Sequence, residues 1–109
     1  MHRHLGFGFL ESVYQSALAR ELTGRGLNIA QQLQLEVLYK REPVGVFFAD
    51  LVVEDNVICE LKSVRAFTAE HEAQLLHYLR STRIPVGLLL NFGARSLQVK
   101  RMIFSKNPR

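Results

Sequence analysis

The chain has 109 residues, 48% of them hydrophobic, enough for one core and too few for two, so a single domain over 1–109 is expected. No run of 18 apolar residues occurs, and "MHRHLGFGFLE" lacks the apolar segment of a secretory leader, so no membrane partner and a cytoplasmic location are expected. The net charge of +4 is uneven: residues 1–60 carry five Lys/Arg and eight Asp/Glu, residues 61–109 nine and two. That distribution suits a polyanion facing the second half, and equally a solvated basic surface.

From Phe9 to about Arg25, the residues Leu10, Val13, Tyr14, Ala17, Leu18 and Leu22 recur at the spacing of one helix face, and Gly24 and Gly26 punctuate the end. Leu33, Leu35, Val37 and Tyr39 then alternate with polar residues, which predicts a strand closed by the turn "KREP". A second strand, "VGVFFADLVV", turns at Asp55 and Asn56 into a third, "VICELKS". Cys59, the single cysteine, falls inside this apolar run, the place of a small buried hydrophobe. Thr68 is suited to cap a second helix reaching about Ser81, with Glu70 and Glu72 in its first turn and Arg80 near its end, as the helix dipole favours. Pro85 closes that helix. "VGLLLNF" has the composition of a buried strand, "SLQVKRMIF" alternates, and "SKNPR" is a tail. Helix, three strands, helix and two strands predict an α/β fold with a mixed central sheet flanked by helices. Short turns make the first three strands antiparallel, and the crossover helix makes the fourth parallel to the third.

Glu60 and Lys62 interrupt the third strand. Side chains two apart share a strand face, about 6–7 Å from one another, so this carboxylate and amine emerge together. Opposed residues of a hairpin have a constant index sum, so a loop of Glu54, Asp55 and Asn56 sets Val53 against Val57 and Asp50 against Glu60. Asp50, Glu60 and Lys62 then share a face; a two-residue loop would put Asp50 on the other. The longer loop is supported by Asn56, which tolerates the left-handed conformation expected at its last position. Two carboxylates about 5 Å apart repel one another, and a divalent cation resolves the conflict, since Mg²⁺ takes oxygens from one or two carboxylates and keeps waters that a phosphate can replace. Lys62 would then orient or deprotonate an attacking water. The same spacing also fits a neutralising Glu60–Lys62 pair at a sheet edge.

Ala49 and Asp50, followed by Glu60, Leu61 and Lys62, resemble the split motif of the PD-(D/E)XK nuclease superfamily, and "GFLESVY" at Gly8 to Tyr14 resembles the signature of its GxxExxY proteins. "HEAQLLHYL" and "GLLLNFG" are similar to the same family, so the resemblance extends from Leu5 to Ile103. It implies a restriction-endonuclease-like α-β-β-β-α-β core in which Asp50 and Glu60 hold Mg²⁺ or Mn²⁺, helped by the backbone carbonyl of Leu61. Glu11 corresponds to an additional helical carboxylate that reaches the metal directly or through water. Gln74 and Tyr78, four apart on one helix face, resemble a QxxxY element near the site, with His71 on the same stripe. The implied activity is metal-dependent hydrolysis of phosphodiester bonds in nucleic acid, DNA by superfamily inference. The basic second half offers Arg65, Arg80, Arg83, Lys100 and Arg101 as phosphate contacts.

Each of these residues also has a plain structural use. Glu11 suits a helix N-terminus, Tyr14 lies on the apolar stripe, and Gln74 and Tyr78 fit a helix surface. His2 and His4 form an HxH pair close to the terminus, and His77 is expected in solvent. Relatives usually carry a further helix ahead of the segment that begins here, and Phe7 replaces their usual proline between two glycines. A missing helix would leave apolar surface on the first helix for a second copy or another protein to cover. The alternative to a nuclease is a non-catalytic nucleic-acid-binding or assembly module that keeps the fold.

Overall fold

The computed structural model describes residues 11–93 and 96–104. Helix α1 (Glu11–Gly24) is followed by strands β1 (Ile29–Tyr39), β2 (Glu42–Val53) and β3 (Val57–Lys62), then helix α2 (Ala69–Thr82) and strands β4 (Val86–Asn91) and β5 (Gln98–Ile103). The strands form one sheet in the order β1-β2-β3-β4-β5, antiparallel throughout except for the parallel β3–β4 pair. The expected element order and strand directions are those observed. His2, His4, Phe7, Gly8 and the expected helix start at Phe9 and Leu10 lie outside the described residues, as does the tail after Phe104. Among the described residues, no helix is long and apolar enough to cross a membrane.

Two apolar layers sandwich the sheet. On the α1 side, Tyr14 and Ala19 pack with Leu51, Cys59, Leu61, Leu90 and Phe92. On the α2 side, Leu75 and Leu79 pack with Ala49, Val52, Ile58 and Leu89. The continuous apolar run of β3 follows from this, since Cys59 and Leu61 serve one layer and Ile58 the other. The Tyr14 and Phe92 rings stack with centroids 4.5 Å apart. Full burial of such side chains contributes roughly 1.5–3 kcal/mol each. The buried face of α1 keeps part of the expected stripe: Tyr14 is fully buried and Leu18 packs against the same layer, but Ala19 joins them and Val13 is exposed. Among the described helix residues Tyr14 and Ala19 are the buried ones, so apolar periodicity overstates the contact.

Helix α2 is held close and capped at both ends. A Cβ on Gly87 would lie 2.8 Å from the Leu75 side chain, so glycine there sets the distance between helix and sheet. The Thr68 hydroxyl accepts from the His71 N–H, and His71 Nδ1 accepts from the Thr68 N–H, a capping box with histidine in the place of the usual Glu or Gln. His71 therefore works at the helix start. Arg83, with φ 65°, ends the helix in the left-handed conformation and donates its N–H to the Leu79 carbonyl.

Both hairpin turns fall where expected, with Val53 opposite Val57 across the three-residue loop of Glu54, Asp55 and Asn56, but the left-handed residues of that loop are not the expected one. Tyr39 pairs with Glu42, so "KREP" contains a two-residue turn in which Lys40 and Arg41 have φ 51° and 71°. Two successive left-handed residues match the right-handed twist of the flanking strands. After β2, Glu54 and Asp55 take the left-handed conformation, φ 55° and 57°, and Asn56 does not. Glu54 is held there from outside the turn: its N–H donates to the Asn28 carbonyl, and its carboxylate accepts from the Asn28 N–H at 2.6 Å.

Strand β1 starts at Ile29, earlier than the alternation from Leu33 predicts, because the strand changes face midway. Ile29, Leu51 and Val53 belong to the α1 layer, whereas Leu33, Leu35, Phe47 and Ala49 belong to the α2 layer. Residues two apart in a regular strand cannot do this. The change falls at Gln32, φ 49°, which lies opposite Asp50 between the pairs Gln31–Leu51 and Leu33–Ala49. The outer half of the β1–β2 hairpin thereby folds onto α2, where Phe47 stacks on Tyr78 at 3.6 Å.

Candidate active site

The β2–β3 ladder contains the pairs Val53–Val57, Val52–Ile58 and Leu51–Cys59, and Asp50 and Glu60 come next in register. There side chains replace the ladder. The Asp50 N–H donates to Glu60 Oε2 at 3.2 Å, and the Leu61 N–H donates to Asp50 Oδ2 at 2.8 Å. Backbone donors left where two strands part need acceptors, and each strand receives one from a carboxylate of the other. The two carboxylates meet as the loop parity requires, but through these crossed bonds, at the mouth of a fork, and not as a regular cross-strand pair.

Glu60 is 9% exposed. Its pKa is pushed up to about 7, first by burial and then by the charge of Asp50, with Glu11 adding a smaller push; the Asp50 N–H and Lys62 act in the opposite sense. Among the described residues neither Asp50 nor Glu60 forms a salt bridge, so the neutralising Glu60–Lys62 pair that the spacing allowed is not made. Burial, followed by the Glu60 charge, also raises the Tyr78 hydroxyl, which places Tyr78 within electrostatic reach of the fork. Cys59, on the α1 side, is pushed up to about 12 by burial first and the Glu60 and Asp50 charges next. That thiol is a buried hydrophobe, as expected.

Glu11, at the start of α1, accepts from the Ser63 N–H at 3.0 Å, tying the helix to the residue that follows Lys62. Gln74 is exposed one turn before Tyr78. The basic residues do not form one surface. Arg65 is exposed in the segment after β3, while Arg80 and Arg83 line a shallow groove with Arg41 and His77. Lys100 lies opposite Leu89 on the α2 side, 3.9 Å from Glu72, and Arg101 lies opposite Leu88 on the α1 side.

Three residues of this region have no role in the motif reading. Asn91, fully buried, accepts through Oδ1 from the Val64 and Gly93 N–H groups and donates to Gln98 at 2.8 Å. A Cβ on Gly93 would lie 2.5 Å from the Val64 nitrogen, so only glycine lets the chain pass beside Ser63 and Val64. Gln32 donates to Asp50 Oδ1 at 3.2 Å. The only sequence signal for the first two was the block "NFG"; Gln32 offered none.

The donors at the fork are hard oxygens, and a buried carboxylate beside a second one fits a divalent cation of the Mg²⁺ type better than a soft metal. Among the described residues no group of three or more His, Cys, Asp or Glu side chains is close enough to enclose a metal, so Asp50 and Glu60 would share it with water or substrate oxygens.

A helix, an antiparallel three-stranded unit, a crossover helix and a parallel fourth strand, with carboxylates where the second and third strands part, define a restriction-endonuclease-like α/β protein. The model of the PD-(D/E)XK nuclease superfamily matches residues 1–102, and the chain belongs to that superfamily. Among solved structures, the "Crystal structure of SSO0001" is similar, with a TM-score of 0.61 and 17% identity over 88% of this chain and 50% of that one. At that identity the likeness is one of fold, and the chain spans about half the length of its neighbour. No curated protein matches.

Proposed function

We propose that the chain is a metal-dependent nuclease of the GxxExxY type, hydrolysing phosphodiester bonds in nucleic acid, DNA being the first substrate to test. The observation that carries this reading is the Asp50–Glu60 pair: two carboxylates bound across a fork, one of them buried, with no cationic side chain bonded to either among the described residues. Such a pair is costly without a proton or a cation. Asp50, Glu60 and the Leu61 carbonyl would hold Mg²⁺ or Mn²⁺, with Glu11 reaching it directly or through water. When bound, the cation supplies polarisation of the scissile phosphate and stabilises its developing charge. Lys62 would position or activate the attacking water. Gln74 and Tyr78 support the substrate side of the fork. Arg65 is the candidate phosphate contact nearest Lys62 in sequence; Arg80, Arg83 and Lys100, on the α2 side, are further candidates, whereas Arg101, on the other side of the sheet, would not reach the same strand.

The test is incubation of the purified protein with single- and double-stranded DNA and RNA in Mg²⁺, Mn²⁺ or EDTA, beside Glu60→Ala. Cleavage that needs metal and Glu60 supports the reading; metal-independent cleavage, or equal cleavage by Glu60→Ala, defeats it. A second reading, a non-catalytic nucleic-acid-binding or assembly module, is favoured by the lack of a three-ligand group among the described residues. Nucleic-acid binding with no cleavage and no thermal shift in Mn²⁺ would select it.

A further inference from the structure

Gln32 occupies β1 directly opposite Asp50 and is the point at which the strand changes face. Its φ of 49° is unusual for a non-glycine residue within a strand and persists only where the surroundings enforce it. On one side Gln31 bonds to Gln15 of α1; on the other Leu33 enters the α2 layer. The left-handed residue between them sends its own carboxamide across to the fork.

The Gln32 nitrogen is 3.2 Å from Asp50 Oδ1 and 2.9 Å from Gln15 Oε1, and the Gln15 nitrogen is 3.3 Å from Gln31 Oε1. A carboxylate only accepts, so Gln32 must present its NH₂ to Asp50, which leaves its second hydrogen for the Gln15 carbonyl and turns the Gln15 NH₂ toward Gln31. The direction of the whole amide chain follows from Asp50. With Oδ1 bound by Gln32 and Oδ2 by the Leu61 N–H, both Asp50 oxygens are fixed in place.

We propose that Gln32 is a positioning residue for Asp50: the left-handed turn of β1 aims its carboxamide at the fork, and the amide chain from α1 sets the carboxylate for cation binding. This rests on the reading of Asp50 as a metal ligand. Groups that orient a ligand in this way typically change metal affinity by about 10- to 100-fold when removed.

Gln32→Gly tests it, because glycine accepts the left-handed backbone while removing the side chain that carries the carboxamide. Two quantities are read: hydrogen exchange of the Leu61 amide in the metal-free protein, by NMR, and Mn²⁺ affinity, by calorimetry. We expect exchange at Leu61 to rise about tenfold or more while Cys59, in the regular ladder, keeps its wild-type rate. Mn²⁺ affinity should fall about 10- to 100-fold with Tm within roughly 3 °C of wild type. Gln15→Ala, one bond further out, should shift both quantities in the same direction by a few-fold. Wild-type exchange at Leu61 or wild-type Mn²⁺ affinity in Gln32→Gly overturns the proposal, and so does equal loss of protection at Leu61 and Cys59, which would make Gln32 a general support of the sheet. If the wild-type protein takes up no Mn²⁺, the metal-site reading fails instead, and the exchange at Leu61 alone decides whether Gln32 holds Asp50.

Discussion

On either side of Asp50, β2 is two different strands. From Leu51 to Val53 it pairs regularly with β3 and belongs to the core, Leu51 being fully buried and Val52 2% exposed. From Val44 to Phe48 it pairs only with β1, lays Phe47 on α2, and leaves Val44, Val46 and Phe48 more than half exposed on its other face. The inner half is stabilised by burial and has its backbone groups satisfied by the ladder. The fork between the halves leaves the Asp50 and Leu61 donors to be satisfied by carboxylates. A charged pair is tolerated in this sheet because the ladder ends there, at the boundary between a buried, regularly paired region and an exposed one.

The sharpest way to break this contrast is to remove the charges at the fork. Glu60→Ala should abolish hydrolysis by about 10³-fold or more and remove the Mn²⁺-induced thermal shift. Lys62→Ala should lose most hydrolysis yet bind Mn²⁺ at least as tightly as wild type, since it removes a nearby positive charge and no ligand. Full activity in Lys62→Ala would remove the amine from the mechanism.

Gly93→Ala probes the support beneath the fork. The added methyl meets the backbone of Ser63 and Val64, which cannot yield as a side-chain tip does. A loss of about 2–4 kcal/mol in urea unfolding is expected, together with weaker Mn²⁺ binding because Ser63 is tied to Glu11. A stability loss below roughly 0.5 kcal/mol would show that this crossing is loose.

The two halves should also differ in their response to pH. The Glu60 pKa is raised in the folded protein to about 7 from an ordinary 4.5, so folding favours its protonated form. That contribution is complete below pH 4.5 and is lost as pH rises through about 7, on the order of 3 kcal/mol in the metal-free protein. Glu60→Gln should flatten the dependence over this window and stabilise the apo-protein at pH 8, measured by denaturant unfolding at a series of pH values. A metal-free wild type that instead gains stability between pH 5 and 8 as steeply as the variant would show that Glu60 carries no strain.

The smallest effect is expected away from the fork. Lys100 and Glu72 lie 3.9 Å apart with side chains 50% and 35% exposed. Lys100→Ala should change stability by less than about 0.5 kcal/mol. If Lys100 also contacts a phosphate, the salt dependence of nucleic-acid binding should fall by about one unit of slope, read from affinities at several salt concentrations.

The sequence by itself determined the order of elements, the strand directions and the meeting of Asp50 with Glu60. All three depend on local quantities: apolar period, capping residues, and the parity of a short loop. The same local rules misplaced details wherever a distant contact held the backbone. Glu54 stands left-handed because Asn28 binds it, and Val13 is exposed although it falls on the apolar stripe. Only the tertiary structure decided that the β2–β3 ladder stops at Leu51 and Cys59, that Gln32 turns left-handed to send the hairpin onto α2, and that Asn91, Gly93 and Glu11 brace the chain after Lys62. A glutamine carries no local preference for that conformation, and Glu11 is 52 positions from Ser63. Such features arise when separate elements pack and leave particular backbone donors without partners, which no window of neighbouring residues specifies.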